Sequence, residues 1–309
     1  MSLAALLASA LSLTAQEATV MTAQGQSVGA RDVSLSTEGG ALTLRFRDAS
    51  GAERSLPAGD VVELVFGSGR SPAPARPGPA DVEVRLSTGD VVRGTLGARS
   101  DEGVQLSSES FGNLLVKFGQ IRSLVFLANE AFAPKRPPEK VKKDLVFTKA
   151  GDRGEGTVLS ASAAGVEYNS ESFGRDVTVA CANMAGFWLT VTEKAPKEPA
   201  ELFMTLLTTD GASVRGRVAS LREGVLAFKD LYGGEHKVPA NRIAGLYVKN
   251  GRVVYLSDLE PAAVEEDANF IRGPKKLPSD LEYPFQRDRS AKGTRLVLGG
   301  VEHRKGLGV

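Results

Sequence analysis

Residues 82–126 read VEVRLSTGDVVRGTLGARSDEGVQLSSESFGNLLVKFGQIRSLVF, and the reading of this stretch decides the fold. Val82, Val84 and Leu86 alternate with Glu83, Arg85 and Ser87, the period-two pattern of a strand with one buried face. Thr88-Gly89-Asp90 then supplies a turn, because glycine tolerates the positive φ of tight hairpins. Val92 and Leu96 flank Gly94 on the returning strand, and Asp101-Glu102-Gly103 forms a second turn. Val104 and Leu106 give a third strand, Ser110-Phe111-Gly112 a third turn, and Leu114, Val116 and Phe118 alternate again. A short, largely apolar run from Ile121 to Leu127 closes the unit. Five short strands in so short a stretch predict a small β-barrel or sandwich.

The pattern recurs downstream. Gly94-Thr95-Leu96 matches Gly156-Thr157-Val158 and Gly216-Arg217-Val218, and Gly103-Val104 matches Gly165-Val166 and Gly224-Val225. Ser108-Glu109-Ser110-Phe111-Gly112 returns letter for letter as Ser170 to Gly174, and loosely as Lys229 to Gly233. Ile121, Met184 and Ile243 precede the closing runs Leu124 to Phe126, Phe187 to Leu189 and Leu246 to Val248. Anchors held at nearly constant spacing mark internal duplication. A more divergent copy runs from Ala18 to Phe66, with Gly25 and Gly29 before Leu42, Leu44 and Phe46, and Val61 to Phe66 as its closing run.

Each unit, with its V-x-L-x-x-G-D-x-x-x-G-x-L opening and late I-x-x-L strand, resembles an Sm-like or SH3-like barrel. The resemblance implies an all-β chain of tandem small five-stranded barrels at 18–67, 82–128, 144–191 and 202–250. Sm-family proteins bind RNA through two loops, but here those loops lack an aromatic residue beside Arg or Asn, so the RNA-binding role is not carried over.

Composition adds bounds. Charged residues make up 24% and the formal net charge is +1, which argues against the clustered positive field needed to hold nucleic acid or an anionic membrane. The chain has 34 glycines, as expected of many short strands joined by tight turns. Residues 1–15 include the apolar run Ser2 to Ala15, which ends in small residues before Gln16-Glu17. It reads as a secretory signal peptide, although no Lys or Arg precedes it; a short helix packed on the first unit is the alternative. The run is too short to span a bilayer, so no transmembrane segment is expected. Ser71 to Ala80, Ala133 to Lys143 and Thr192 to Glu201 are proline-bearing linkers and predict units strung like beads. The basic Ala133–Lys143 linker could tether an anionic surface, but a solvated spacer explains it as well.

Residues able to do chemistry are few. Cys181 is the only cysteine, which excludes a disulfide or thiolate zinc site within the chain; its place after Val177-Thr178-Val179-Ala180 predicts a buried, inert thiol on a strand. His236 and His303 are the only histidines and read as exposed strand residues. Gly233-Gly234 and Gly299-Gly300 lack the strand, spacing and lysine of a phosphate loop. Trp188 reads as core of the third unit, with sugar stacking as the alternative. No catalytic, cofactor-binding or metal residue is assigned, no cofactor is implied, and the chain is expected not to be an enzyme.

At the C-terminal end, Tyr255-Leu256-Ser257-Asp258-Leu259-Glu260-Pro261, Arg287-Asp288-Arg289-Ser290, Leu296-Val297-Leu298-Gly299-Gly300 and Lys305-Gly306-Leu307-Gly308-Val309 occur in that order. The series resembles the opening of the NPCBM carbohydrate-binding module. The resemblance covers Val253 to Val309 and implies the first part of a jelly-roll β-sandwich. Because the family module continues past this point, 253–309 is expected to be poorly ordered. No sugar-contacting residue is transferred, and Arg287-Asp288-Arg289 reads as a salt-bridged turn. The implied function is a non-catalytic, exported bacterial protein displaying a carbohydrate-binding module on tandem barrels. An intracellular adaptor binding protein or RNA, and the front part of a larger glycoside hydrolase, are the alternatives.

Overall fold

The computed structural model describes residues 17–67, 76–134, 141–255, 262–263, 286–287, 296–298, 301–303 and 307–308. The stretch 1–15, expected to be a signal peptide, and parts of the first two proline-bearing linkers, 71–75 and 135–140, lie outside the described residues. The chain divides into two compact units, Met1–Gly251 and Arg252–Val309. Among the described residues no helix is long and apolar enough to cross a membrane.

The first unit is built from four five-stranded segments, A to D. Segment A holds β1 (Ala18–Thr22), β2 (Ser27–Glu38), β3 (Ala41–Asp48), β4 (Glu53–Pro57) and β5 (Val61–Phe66). Segment B holds β6 (Asp81–Leu86), β7 (Val91–Leu96), β8 (Gly103–Ser108), β9 (Gly112–Lys117) and β10 (Ile121–Phe126). Segment C holds β11 (Asp144–Thr148), β12 (Arg153–Ser162), β13 (Gly165–Ser170), β14 (Arg175–Val179) and β15 (Met184–Trp188). Segment D holds β16 (Phe203–Thr208), β17 (Ser213–Arg222), β18 (Val225–Asp230), β19 (Glu235–Pro239) and β20 (Ile243–Lys249).

Local chemistry accounts for these elements. Alternation in β6 buries Val82, Val84 and Leu86 against one face. Gly89 and Gly211 sit at φ +89° and +88°, the left-handed geometry the β6–β7 and β16–β17 turns require. In every segment the first strand pairs antiparallel with the second and the fifth, as β6 does with β7 and β10. Gly94, Gly156 and Gly216 occupy one ladder position, opposite Val82, Asp144 and Met204, and Ala30 holds it in segment A opposite Ala18.

The expectation of separate tandem barrels is corrected here. Among the described residues no ladder joins a fourth strand to the fifth of its own segment, so no segment closes on itself. The outer edges of the fifth strands pair with one another instead. Leu124 faces Phe187 and Val125 faces Gly186 across β10 and β15; Leu246 faces Leu64 across β20 and β5. The result is one continuous 20-stranded sheet rather than a string of barrels. Pairing these edges buries apolar side chains from both partners, Phe126, Phe187, Leu64 and Leu246 being at most 2% exposed, and satisfies backbone groups an open edge would leave bare.

The bead-like arrangement is corrected too. In the linker at 192–201, the Glu193 amide donates to the Gly119 carbonyl over 3.1 Å, and Asn250 Nδ2 donates to the Pro199 carbonyl over 2.8 Å. That linker is a strap lying on the body.

The second unit does not bear out the jelly-roll expectation. Its described strands form two short antiparallel ladders, β21 (Gln286–Arg287) with β24 (Leu307–Gly308) and β22 (Leu296–Leu298) with β23 (Val301–His303). Gly299-Gly300, Asp288-Arg289 and most of the 255–261 motif lie outside the described residues.

Candidate functional site

The densest cluster of chemically capable side chains lies where segments B and D meet. The turns between β6 and β7 and between β16 and β17 approach each other, and a single bridge pairs Val91 with Ser213. The contact is reciprocal. Arg93 Nη1 donates to the Asp210 carbonyl over 3.3 Å, and Arg215 Nη2 donates to the Thr88 carbonyl. Arg93 and Arg215 each precede the ladder glycine of their segment, so equivalent positions reach across to equivalent turns. Arg215 Nε also donates to Asp90 Oδ1 at 2.7 Å; the Asp90 side chain is 4% exposed and that of Arg215 21%. Burial of this pair excludes competing water and holds the two turns in register.

A second layer lies beside it. Ser87 Oγ and the Tyr232 hydroxyl are 2.6 Å apart, and burial pushes the Tyr232 phenol above its ordinary range, while the Ser87 hydrogen bond acts in the opposite direction. The Asp230 carboxylate accepts from the Gly234 amide at 2.8 Å and lies 2.8 Å from His236 Nε2. Phe111 of segment B meets the His236 ring edge-on, with centroids 5.3 Å apart at 74°. Glu109 accepts from Arg242 over 2.5 Å.

These contacts decide what the candidate residues do. His236, expected as an exposed strand residue, is instead wedged between Asp230 and Phe111, with its side chain 13% exposed. A serine nucleophile would need its hydroxyl on the imidazole, yet the Ser87 hydroxyl is turned to Tyr232. The arrangement fastens two segments together. Sequence reading missed Asp90, Arg215, Asp230 and Tyr232; the one available signal was the shared Arg-Gly step at Arg93-Gly94 and Arg215-Gly216.

The remaining candidates fall elsewhere. Cys181 is buried, as expected, but it opens a 3-10 turn after β14 ends, and its thiol donates to the Ser162 carbonyl at 3.2 Å. Burial raises its pKa, which lowers the thiolate fraction that reacts. Cys181 in the native protein is therefore expected to stay unmodified by a disulfide reagent at neutral pH and to react stoichiometrically in denaturant; fast native labelling would contradict this. Trp188 departs from the expected core position: half-buried at the β10–β15 joint, it packs edge-on against Phe147 at 4.8 Å in a satellite cluster with Leu145 and Ala185. Gly233-Gly234 forms the β18–β19 turn, Gly233 at φ +89°. His303 lies on β23 and Arg287 on β21. Among the described residues no three His, Cys, Asp or Glu side chains are grouped to hold a metal ion.

Hollows of very different size adjoin segment A. An open depression of about 710 Å³ on segment A is lined by Asp32, Arg45, Phe46, Arg47, Glu53 and Arg54 among others. Within it Arg54 Nε donates to Asp48 Oδ2 at 2.8 Å. The Ser50 hydroxyl first, and Arg54 next, hold the Asp48 carboxyl far below the usual carboxylate range. A group with a depressed folded-state pKa stabilises the fold above its unfolded pKa near 4, and that contribution is lost as pH falls towards the folded value. Asp48→Asn is therefore expected to flatten the acid limb of a stability–pH profile below about pH 4; an unchanged limb would count against it. At the A–D joint, by contrast, the hollow of about 10 Å³ is lined by apolar residues such as Leu35, Leu44 and Met204, too small and too greasy to hold water.

No family model matches the chain, and no curated protein matches it. The NPCBM resemblance over Val253–Val309 thus stands without support, and the carbohydrate-binding display function and its two alternatives are set aside together with that resemblance and the tandem barrels.

Proposed function

We propose that this chain is a non-catalytic scaffold, exported from the cell, that acts through the outer surfaces of a rigid four-segment body. The observation that carries the reading is the B–D seam, where the side chains best suited to chemistry are committed to fastening one segment to another. Asp90 is held by Arg215, Ser87 by Tyr232, and His236 by Asp230 and Phe111. A group locked in a buried contact is a poor proton carrier or nucleophile, because it must leave a satisfied partner to react. The burial of the joints supports the same role: edge pairing at β10–β15 and β20–β5 puts Phe187, Leu124, Leu64 and Leu246 into the core. Export rests on the apolar run Ser2 to Ala15 and its small-residue end.

Two measurements test this. Purified wild type and His236→Ala are assayed against ester, phosphoester, peptide and glycoside substrates; no turnover in either is expected, and turnover that disappears in His236→Ala would overturn the scaffold reading. N-terminal sequencing of the protein from the periplasm or medium of a bacterial host is expected to begin near Gln16. A cytoplasmic protein retaining the 2–15 run would overturn export alone.

A further inference from the structure

We propose that Phe173 of one copy of this chain docks against Arg54 of a second copy, so that the molecules associate head to tail. This goes beyond the scaffold reading and rests on two sets of contacts at the B–D seam that, among the described residues, have no counterpart on segments C and A.

The first concerns the pentapeptide Ser-Glu-Ser-Phe-Gly, present identically in segments B and C. In segment B it is a docking element: Phe111 lies edge-on to His236 and Glu109 accepts from Arg242, both on segment D. In segment C the same five residues form the β13–β14 turn, closed by the Gly174 amide donating to the Ser170 carbonyl at 2.8 Å. There Phe173 is 66% exposed; the Glu171 amide donates to the Glu155 carbonyl, and its carboxylate pairs with the half-exposed Lys143, an ion pair cheaply exchanged. A large aromatic side chain standing in water at the tip of a turn marks an interaction site more than an isolated surface apolar residue does, because its twin is already engaged.

The second concerns the receiver. In segment D, the Asp230 amide donates to the Gly234 carbonyl, the Gly233 amide donates to the Asp230 carbonyl, and Asp230 Oδ2 lies 2.8 Å from His236 Nε2. Segment A reproduces this turn atom for atom: the Asp48 amide donates to the Ala52 carbonyl, the Gly51 amide to the Asp48 carbonyl, and Arg54 Nε to Asp48 Oδ2 at 2.8 Å. Arg54 therefore stands where His236 stands. Its side chain is 61% exposed and opens onto the depression lined by Arg45 and Arg47. A guanidinium receives a phenyl ring at least as well as an imidazole does; the flanking Arg45 and Arg47 are paired with Glu38 and with Asp32 and Glu53, exposed ion pairs into which Glu171 can exchange.

The two surfaces cannot meet within one chain by the joints described. Segment C is joined to B through their fifth strands, B to D through the seam, and D to A through their fifth strands, which leaves the donor turn on one terminal segment and the receiver on the other. A donor and a receiver on different faces make a heterologous contact, which propagates into a ring or an open filament. The junction is weaker than the B–D seam, because segment C carries Glu155, paired with Arg153, where B carries Arg93. Association is accordingly concentration-dependent.

Sedimentation velocity of the full chain, from low micromolar to near-millimolar concentration, tests the proposal. The weight-average sedimentation coefficient is expected to rise with concentration for wild type. Phe173→Ala and Arg54→Gln are each expected to weaken association by about tenfold, Phe173→Ala with an unchanged melting temperature. An equimolar mixture of the two variants retains one intact donor and one intact receiver and is expected to stop at dimers. A wild type that stays monomeric throughout overturns the proposal, and so does association that Phe173→Ala leaves as strong as in wild type. Catalytic turnover in the assays above would remove the scaffold reading without touching this result.

Discussion

Arg215→Ala is expected to lower the melting temperature by roughly 6–12 °C, taking about 3 kcal/mol of lost stability and the usual shift per kcal/mol for a chain of this size. The reason is asymmetric burial. Asp90, 4% exposed, loses the guanidinium that Arg215 places 2.7 Å away. Leaving one member of a buried pair uncompensated costs more than the pair ever contributed. The same side chain also caps the Thr88 carbonyl and pairs with Glu198 on the strap, so three attachments are lost at once. Double substitution with Asp90→Ala should recover part of the loss, which a double-mutant thermal-denaturation cycle measures directly. A melting temperature within a degree of wild type would show that the B–D seam is not held here.

Gly156→Ala is expected to destabilise by about 2–3 kcal/mol, with Gly216→Ala close behind and Gly94→Ala milder. A methyl group at Gly156 would lie 1.9 Å from the Asn169 carbonyl oxygen, at Gly216 2.1 Å from that of Lys229, and at Gly94 2.7 Å from that of Ser107. Each obstacle is backbone of the neighbouring strand, which cannot rotate away as a side chain would. None of the three has a positive φ, so the effect is one of strand spacing and not of backbone strain. Urea titration of the three variants checks the order; equal and negligible losses would mean the ladders can spread without cost. Gly112→Ala is a useful contrast, since its Cβ would meet open space and only its φ of +70° opposes the change.

Strand positions were legible in the sequence wherever a segment has one wet face. Val82, Val84 and Leu86 alternate in the chain and are buried in the structure, and the turn glycines sit where tight turns demand them. Closure was not legible. An alternating pattern tells which face of a strand is dry but not which edge is paired, and Ile121 to Leu127 fits the last strand of a closed barrel as well as a strand shared between two segments. Even its largely apolar character, with Ile121, Leu124 and Phe126 buried, says only that something covers it. The seam was less legible still. Ser87 and Tyr232 are 145 positions apart, and neither residue type, nor an arginine before a glycine, announces a partner at that distance.

What the sequence by itself determined is therefore the local grammar: strand periodicity, glycine turns, the recurring Ser-Glu-Ser-Phe-Gly turn and a single cysteine that cannot form a disulfide within the chain. Tertiary structure alone decided that the fifth strands pair between segments, that His236 is wedged at a seam, and that Phe111 is engaged while Phe173 stands free. The physical reason is that backbone hydrogen bonds are the same for every residue, so edge pairing is chosen by the fit of whole surfaces, and identical turns acquire different partners according to which segment lies beside them.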